Sequence, residues 1–105
     1  MVMIHGYGSS GGALAILAKK LSEYFCFITI DIIGMGSSSR PKDYDYAKFT
    51  PEQSNGYFVQ YIEKWRQSMG KNFLRSGEEK EFTDFYLAGH SFGGYLSALY
   101  SLKYH

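Results

Sequence analysis

Short apolar runs alternate with longer stretches of helical periodicity, and the alternation occurs three times along the chain. Residues 1–4 form an apolar run that meets a turn at Gly6. Beyond the glycines, Leu14, Leu17, Ala18 and Leu21 recur at the spacing of one helix face. This predicts a strand, a glycine loop and an amphipathic helix over 12–24. Residues 25–32 are apolar, aromatic and β-branched without polar alternation, the pattern of a central strand covered on both faces. Residues 33–49 carry Gly34, Gly36, three consecutive serines and the Arg40-Pro41 break, which is loop chemistry. Thr50, Pro51 and Gln53 then compose a helix start: Thr50 as N-cap, Pro51 in the first turn and Gln53 closing a capping box. Phe58, Ile62, Trp65 and Met69 line one face of that helix, and Gly70 is expected to end it. The charged stretch 71–81 reads as a solvated loop, residues 85–88 as a third strand, and the segment after Gly94 as a last helix presenting Leu96, Leu99 and Tyr100.

Strand and helix alternating in this way predict an α/β architecture: a parallel sheet with right-handed crossovers and helices on both faces, three layers in all. The 105 residues, 45% hydrophobic and 20% charged, fit one globular domain or a part of one, taken as 1–105. Both ends of the pattern look cut, since nothing precedes the first strand and the last helix feeds no further strand. A net charge of +1 from interspersed basic and acidic residues gives no footprint for nucleic acid. Cys26 is the single cysteine, which excludes an internal disulfide and a cysteine zinc site; its apolar surroundings predict a buried structural thiol. No leader pattern and no apolar stretch near the ~20 residues of a membrane span are present, so the expected compartment is cytoplasmic. Aromatic residues make up 18% of the chain, ten of them tyrosine and eight phenylalanine, which reads first as core packing and second as a lipid-facing surface.

Two glycine motifs compete for the chemistry. Gly6-Tyr7-Gly8-Ser9-Ser10-Gly11 matches G-x-G-x-x-G between a strand and a helix, with Asp31 about 20 residues on at the end of the next strand. That is a dinucleotide fingerprint in which Gly6, Gly8 and Gly11 would admit a pyrophosphate and Asp31 a ribose. Any tight strand-to-helix turn needs glycines, however, so this match is weak alone. Gly89-His90-Ser91-Phe92-Gly93, with Gly94 behind it, is more specific: strand, turn and helix are the context of a nucleophile elbow with Ser91 at its tip. A serine in a strained turn brings its neighbours so close that only glycine fits at the flanks. The helix starting at Phe92 directs free amides toward developing negative charge, so the Phe92 N–H can form half of an oxyanion hole, and the Tyr7 N–H the other half. One reading then uses both glycine loops, with Gly6, Gly89, Gly93 and Gly94 as support and His5 and His90 in structural roles. The bland alternative is a glycine-rich turn bearing a solvent-facing serine.

At these residues the chain resembles the α/β-hydrolase superfamily, through its His5-Gly6 loop, the segment from Asp31 to Ser38, and the elbow. Ser39-Arg40-Pro41, Ile62-Glu63-Lys64-Trp65-Arg66 with Met69-Gly70, and Tyr100-Ser101-Leu102-Lys103-Tyr104 look like the lysophospholipase and lipase-coactivator branch. The resemblance implies a serine hydrolase acting on lipid, lysophospholipid or other small carboxylic esters, or transferring their acyl groups. It implies no metal and no organic cofactor. Coactivators of that branch carry asparagine at the position of Ser91, so the serine sides with the hydrolytic members. The superfamily orders its triad serine, acid, histidine, but only 14 residues follow Ser91 and none is acidic. His105, at the end of the last helix, would lie about 20 Å away by helical rise. The triad acid and base are thus expected to be absent from this chain, and the chain to be truncated and nearly inactive alone. A non-catalytic lipid-binding or coactivator role, peripheral to a membrane or lipid droplet, is the second expectation, and a dinucleotide-binding fragment the third.

Overall fold

In a computed structural model, which describes residues 1–72 and 80–104, three short strands form one parallel sheet. The elements are β1 (Val2–Ile4), α1 (Ala15–Leu21) preceded by a 3-10 turn (Gly11–Leu14), β2 (Ile28–Ile30), α2 (Pro51–Asn72), β3 (Leu87–Gly89) and α3 (Phe92–Lys103). Strand order is β2-β1-β3, with Val2 opposite both Ile28 and Leu87, and Ile4 opposite both Ile30 and Gly89. The sequence pattern placed the central strand at 25–32; the centre is instead β1, and β2 is an edge. Only three residues of that apolar run find ladder partners, and Phe25 turns off to meet Tyr86 edge-on at 5.8 Å.

Side chains alternate across a strand, so Val2, Ile4, Ile28 and Ile30 leave the sheet on one face and Met3 and Thr29 on the other. The first face carries the core: Val2, Ile4, Ile30 and Ile32 pack with Val59 and Ile62 of α2 and Leu96 and Tyr100 of α3. The 3-10 turn lies on the opposite face, where Gly11 comes so near Thr29 that a methyl group could not be added. The expected α/β arrangement, helical structure on both sides of a parallel sheet, is therefore present. Its second layer is thin, because α1 buries no residue and Leu17, predicted on the apolar face, is exposed.

Helix α2 begins with the reciprocal bonds of a capping box: Gln53 N–H donates to Thr50 Oγ1 at 3.2 Å, and Thr50 N–H to Gln53 Oε1 at 2.8 Å. It does not stop at Gly70 but continues to Asn72. Gly70 is buried against the backbone of Lys80–Phe82, where a side chain would collide with the Lys80 carbonyl. The glycine allows a close approach rather than an end. The solvated loop expected over 71–81 lies largely outside the described residues, as does His105. Cys26 is exposed and not the buried thiol expected: it lies ahead of β2, with only its carbonyl tied to the sheet by the Met1 amino group, which donates to it at 2.7 Å.

A buried polar cluster fastens α2 to α3. Arg66 donates to both oxygens of Glu63 at 2.9 and 2.8 Å, and Tyr100 Oη donates to Glu63 Oε2 at 2.6 Å. The remaining Arg66 nitrogen donates to the Phe82 carbonyl at 3.0 Å, joining the segment ahead of β3. The Arg66 guanidinium, helped by Tyr100 and Gln67, holds the Glu63 carboxyl down at about 2 against the opposing effect of burial. Among the described residues, no helix is long and apolar enough to cross a membrane.

Candidate active site

The site is built where β1 and β3 end side by side. β3 delivers the chain to His90, whose N–H donates to the Ile4 carbonyl at 3.0 Å and so prolongs the pairing by one step. Ser91 follows at φ 54°, ψ −120°, and α3 begins at the next residue. This backbone is unfavourable for a side chain bearing a Cβ and costs on the order of 1–3 kcal/mol, so the surroundings must enforce it. The enforcement is visible in the glycines. A methyl group on Gly89 would strike the Gly93 carbonyl, and one on Gly93 would strike the carbonyls of Ile4 and His5. Helix α3 can therefore start directly over β1 only with glycine at both positions. Ser91 stands exposed at the tip, and its hydroxyl has no partner among the described residues.

The loop after β1 meets this turn. A Cβ on Gly6 would lie 3.4 Å from both Ser91 Cβ and His90 Nδ1, so the two glycine loops touch at Gly6 and Ser91. The Tyr7 and Phe92 rings meet edge-on at 6.1 Å. Phe92 is the first residue of α3, so its N–H lacks an intrahelical acceptor, whereas the Gly93 N–H is occupied by the His90 carbonyl at 2.9 Å. The Phe92 N–H is thus left without an intrahelical acceptor beside Ser91. A Cβ on Gly94 would lie 3.2 Å from the Gly89 carbonyl oxygen, a tighter contact than usual but less severe than those at Gly89 and Gly93.

His5 is almost fully buried and bonded at both ring nitrogens: Nε2 accepts the Ile32 N–H at 3.0 Å, and Nδ1 lies 2.7 Å from the Gly6 carbonyl. Acceptance at Nε2 assigns the proton to Nδ1, which donates to Gly6. That carbonyl belongs to the same planar peptide unit as the Tyr7 N–H. The histidine thus fixes the plane of the amide expected to serve as an oxyanion donor. His90, by contrast, is exposed at the rim.

Asp31 accepts from the Gly11 N–H and, at 2.8 Å, from the Ser37 N–H, one bond on each oxygen. Those two amides, Gly11 first, hold its carboxyl below the usual aspartate range against burial. Ser38 Oγ adds a bond to the Asp31 carbonyl at 2.6 Å. Asp31 therefore staples the first glycine loop to the turn at 36–38, and the ribose-binding role that its spacing suggested has no support in this geometry. Gly11 is likewise accounted for by its approach to Thr29. The spacing drew attention to the right aspartate; its actual partner Ser37 lies six residues on, in a loop that carries no periodic signal.

Beside the elbow is a cleft of about 570 Å³ whose wall includes Tyr7 and Phe92 together with Tyr44, Tyr57 and Phe58. Sequence reading did not foresee it, because its aromatic residues are contributed by the 33–49 loop, α2 and the elbow together.

These features define a class. The chain matches the family model of the alpha/beta hydrolase fold over residues 1–105, and it belongs to that family. It is 36% identical over 104 residues to a 1-acylglycerol-3-phosphate O-acyltransferase of Arabidopsis thaliana, an alignment covering 99% of this chain and 22% of that protein. It is also 36% identical over 104 residues to the human (Lyso)-N-acylphosphatidylethanolamine lipase, covering 99% of this chain and 26% of that protein. The human 1-acylglycerol-3-phosphate O-acyltransferase ABHD5 is 34% identical over 105 residues, again 99% and 26%. The chain thus spans between a fifth and about a quarter of the length of the curated relatives it matches. No solved structure matches it.

Proposed function

We propose that this chain carries the nucleophile and the oxyanion donors of a serine enzyme that hydrolyses or transfers the acyl groups of lipid esters. The observation that carries the reading is the conformation of Ser91, held at a strained turn between β3 and α3 by glycines that touch backbone on both sides. Ser91 Oγ attacks the ester carbonyl and forms an acyl-serine as the alcohol departs. The Tyr7 and Phe92 amides receive the oxyanion, and water or an acceptor alcohol then releases the acyl group. Gly6, Gly89, Gly93 and Gly94 permit the close contacts, His5 sets the plane of the Tyr7 amide, and His90 completes the strand pairing.

The described residues place no acid and no imidazole base in hydrogen-bonding contact with Ser91, so efficient turnover is proposed of a protein in which both accompany this stretch. The stretch by itself is expected to react slowly, because loss of the histidine of a triad costs about 10⁶ in turnover. The lipid-ester assignment is supported by the relatives named above, two of which are named acyltransferases and one a lipase. The test is release of radiolabelled acyl chains from a panel of lysophospholipids, with and without an acceptor alcohol, by a protein in which such an acid and base accompany this stretch. Acyl release or transfer abolished by Ser91→Ala supports the reading; unchanged release in that variant overturns it.

A non-catalytic lipid-binding or coactivator role at a membrane or droplet surface is the second reading. It is favoured by the solvent exposure of Tyr7, Tyr24, Tyr46 and Tyr86, each at least 70% accessible, which core packing does not explain.

A further inference from the structure

His5 fixes the peptide plane on one side of Tyr7, and a sulfur atom fixes the other. The Gly8 N–H, which shares its plane with the Tyr7 carbonyl, donates to Met35 Sδ at 3.4 Å. The loop tip is a turn closed by the Ser9 N–H on the Gly6 carbonyl at 3.2 Å, with Gly8 at φ 67°. Apart from its chain neighbours, nothing lies within 4 Å of the point where a Gly8 Cβ would begin, so the tip is open on that side. Met35 is held more firmly. It sits between Gly34 and Gly36, at φ 83° and 54°, in a turn where its N–H donates to the Ile32 carbonyl at 2.8 Å and its carbonyl accepts the Ser38 N–H at 3.0 Å. Asp31 grips the same turn through Ser37 and Ser38, and a Cβ on Gly36 would strike the Asp31 carboxylate. The thioether is thus presented to the loop tip from a braced backbone. Met35 is half-buried and lines the cleft with Tyr7 and Phe92, so a small solute in the cleft reaches its sulfur.

We propose that Met35 is a modification site, oxidised to methionine sulfoxide by hydroperoxides, and that the sulfoxide displaces the Tyr7–Gly8 tip from its place beside Ser91. The proposal rests on the acyl-transfer reading in taking the Tyr7 amide as an oxyanion donor. The sulfur lone pair attacks the terminal peroxide oxygen, an S–O bond forms and the O–O bond breaks. The proton of the transferred hydroxyl passes to the departing oxygen, which leaves as water or an alcohol; sulfur is oxidised and the peroxide reduced. The thioether is an apolar group and a weak acceptor, whereas the sulfoxide is polar and adds an oxygen atom between sulfur and the Gly8 N–H. Because the turn at Met35 is braced and the tip is not, the tip yields. The Tyr7 N–H is then carried out of line with an ester carbonyl at Ser91. Met1 and Met3 lie at β1 and Met69 in α2, so their oxidation serves as an internal control.

The test measures the rate of Ser91 modification by a fluorophosphonate in the full chain carrying Cys26→Ser, which removes the exposed thiol as a competing target. Mass spectrometry of the peptides reports the oxidation state of each methionine. The rate is expected to fall about tenfold or more once Met35 is the sulfoxide, a fraction of what outright loss of an oxyanion donor costs. Methionine sulfoxide reductase with a thiol donor restores it. Met35→Leu, which keeps apolar bulk without the sulfur, labels at one rate before and after peroxide. An equal rate in the oxidised and reduced chains, or the same loss in Met35→Leu, overturns the inference. A second measurement needs neither the variant nor a reactive serine: oxidation moves the Tyr7 and Gly8 amide resonances in NMR more than those of Ala18 and Leu21 in α1. Unmoved Tyr7 and Gly8 resonances overturn the inference. Shifted resonances with Ser91 unlabelled in both states support the displacement and count against the acyl-transfer reading alone.

Discussion

Ser91 occupies a backbone conformation that serine avoids, and the reason lies in its neighbours rather than in its side chain. Gly93 touches the carbonyls of Ile4 and His5, and Gly89 touches Gly93, so neither can accept a Cβ without moving β1 or α3. Gly93→Ala is expected to destabilise the fold by about 2 kcal/mol or more, as overpacking against backbone does. Gly94→Ala costs clearly less, since its nearest neighbour, the Gly89 oxygen, is 3.2 Å from the added carbon and a helix gains from alanine. Urea midpoints of the two variants check the ordering, and equal losses would contradict it. His5 offers a finer test. His5→Asn can keep a donor near the Nδ1 position, whereas His5→Gln keeps only the contact near Nε2. The rate of Ser91 modification at saturating fluorophosphonate is expected to fall about tenfold or more in His5→Gln relative to His5→Asn, because only the former releases the Gly6–Tyr7 peptide plane. Similar rates in the two would leave His5 as a packing residue. The elbow was readable in the sequence because its demands fall on adjacent residues; the bonds from His5 to Gly6 and Ile32 were not, since Ile32 is 27 positions away.

At the scale of elements, apolar runs and helical periodicity located the three strands and three α-helices of the described residues, but not their limits or neighbours. The capping box at Thr50 and Gln53 is a local bond pair and could be read directly. Gly70 could not, because the same residue that ends an exposed helix also permits a buried one to touch backbone. The apolar run at 25–32 looked central by composition, yet strand order depends on pairing across the chain, which composition does not encode. The Glu63–Arg66–Tyr100 cluster joins α2 to α3 and has a pH signature. Glu63 titrates at about 2 when folded against an ordinary 4.5, so the unfolded chain takes up its proton first as pH falls. Its contribution is fully present above about pH 4.5 and is lost between there and about 2. Tyr100→Phe is expected to cost about 1–2 kcal/mol at neutral pH by removing a donor from a buried carboxylate. Glu63→Gln flattens the fall in stability across that acid window. Chemical denaturation at neutral pH and at pH 3 checks both, and an unchanged acid slope in Glu63→Gln would assign the acid sensitivity to other carboxylates.

Over the whole molecule, a three-stranded parallel sheet carries helices α2 and α3 on one face and a thin layer on the other. All of the proposed chemistry gathers at the ends of β1 and β3, with the aromatic cleft opening beside it. This is where an open α/β sheet places its ligands, beyond the carboxyl ends of the strands. The fold class was legible from the alternation of apolar periods. The cleft was not, because it assembles tyrosines and phenylalanines from three separate segments whose individual patterns read as loop, helix and turn. The exposed tyrosines show how composition misleads at this scale: the same 18% of aromatic residues supplies both core contacts and surface. The central claim is that Ser91 is the group that takes the acyl chain, and the most direct measurement is peptide mapping by mass spectrometry after prolonged exposure of the folded chain to a fluorophosphonate. The oxyanion site alone should give slow but selective reaction, with the adduct on the peptide bearing Ser91 and none there in Ser91→Ala. A folded sample with no adduct at Ser91, or with adducts spread evenly over its other serines, would contradict the account.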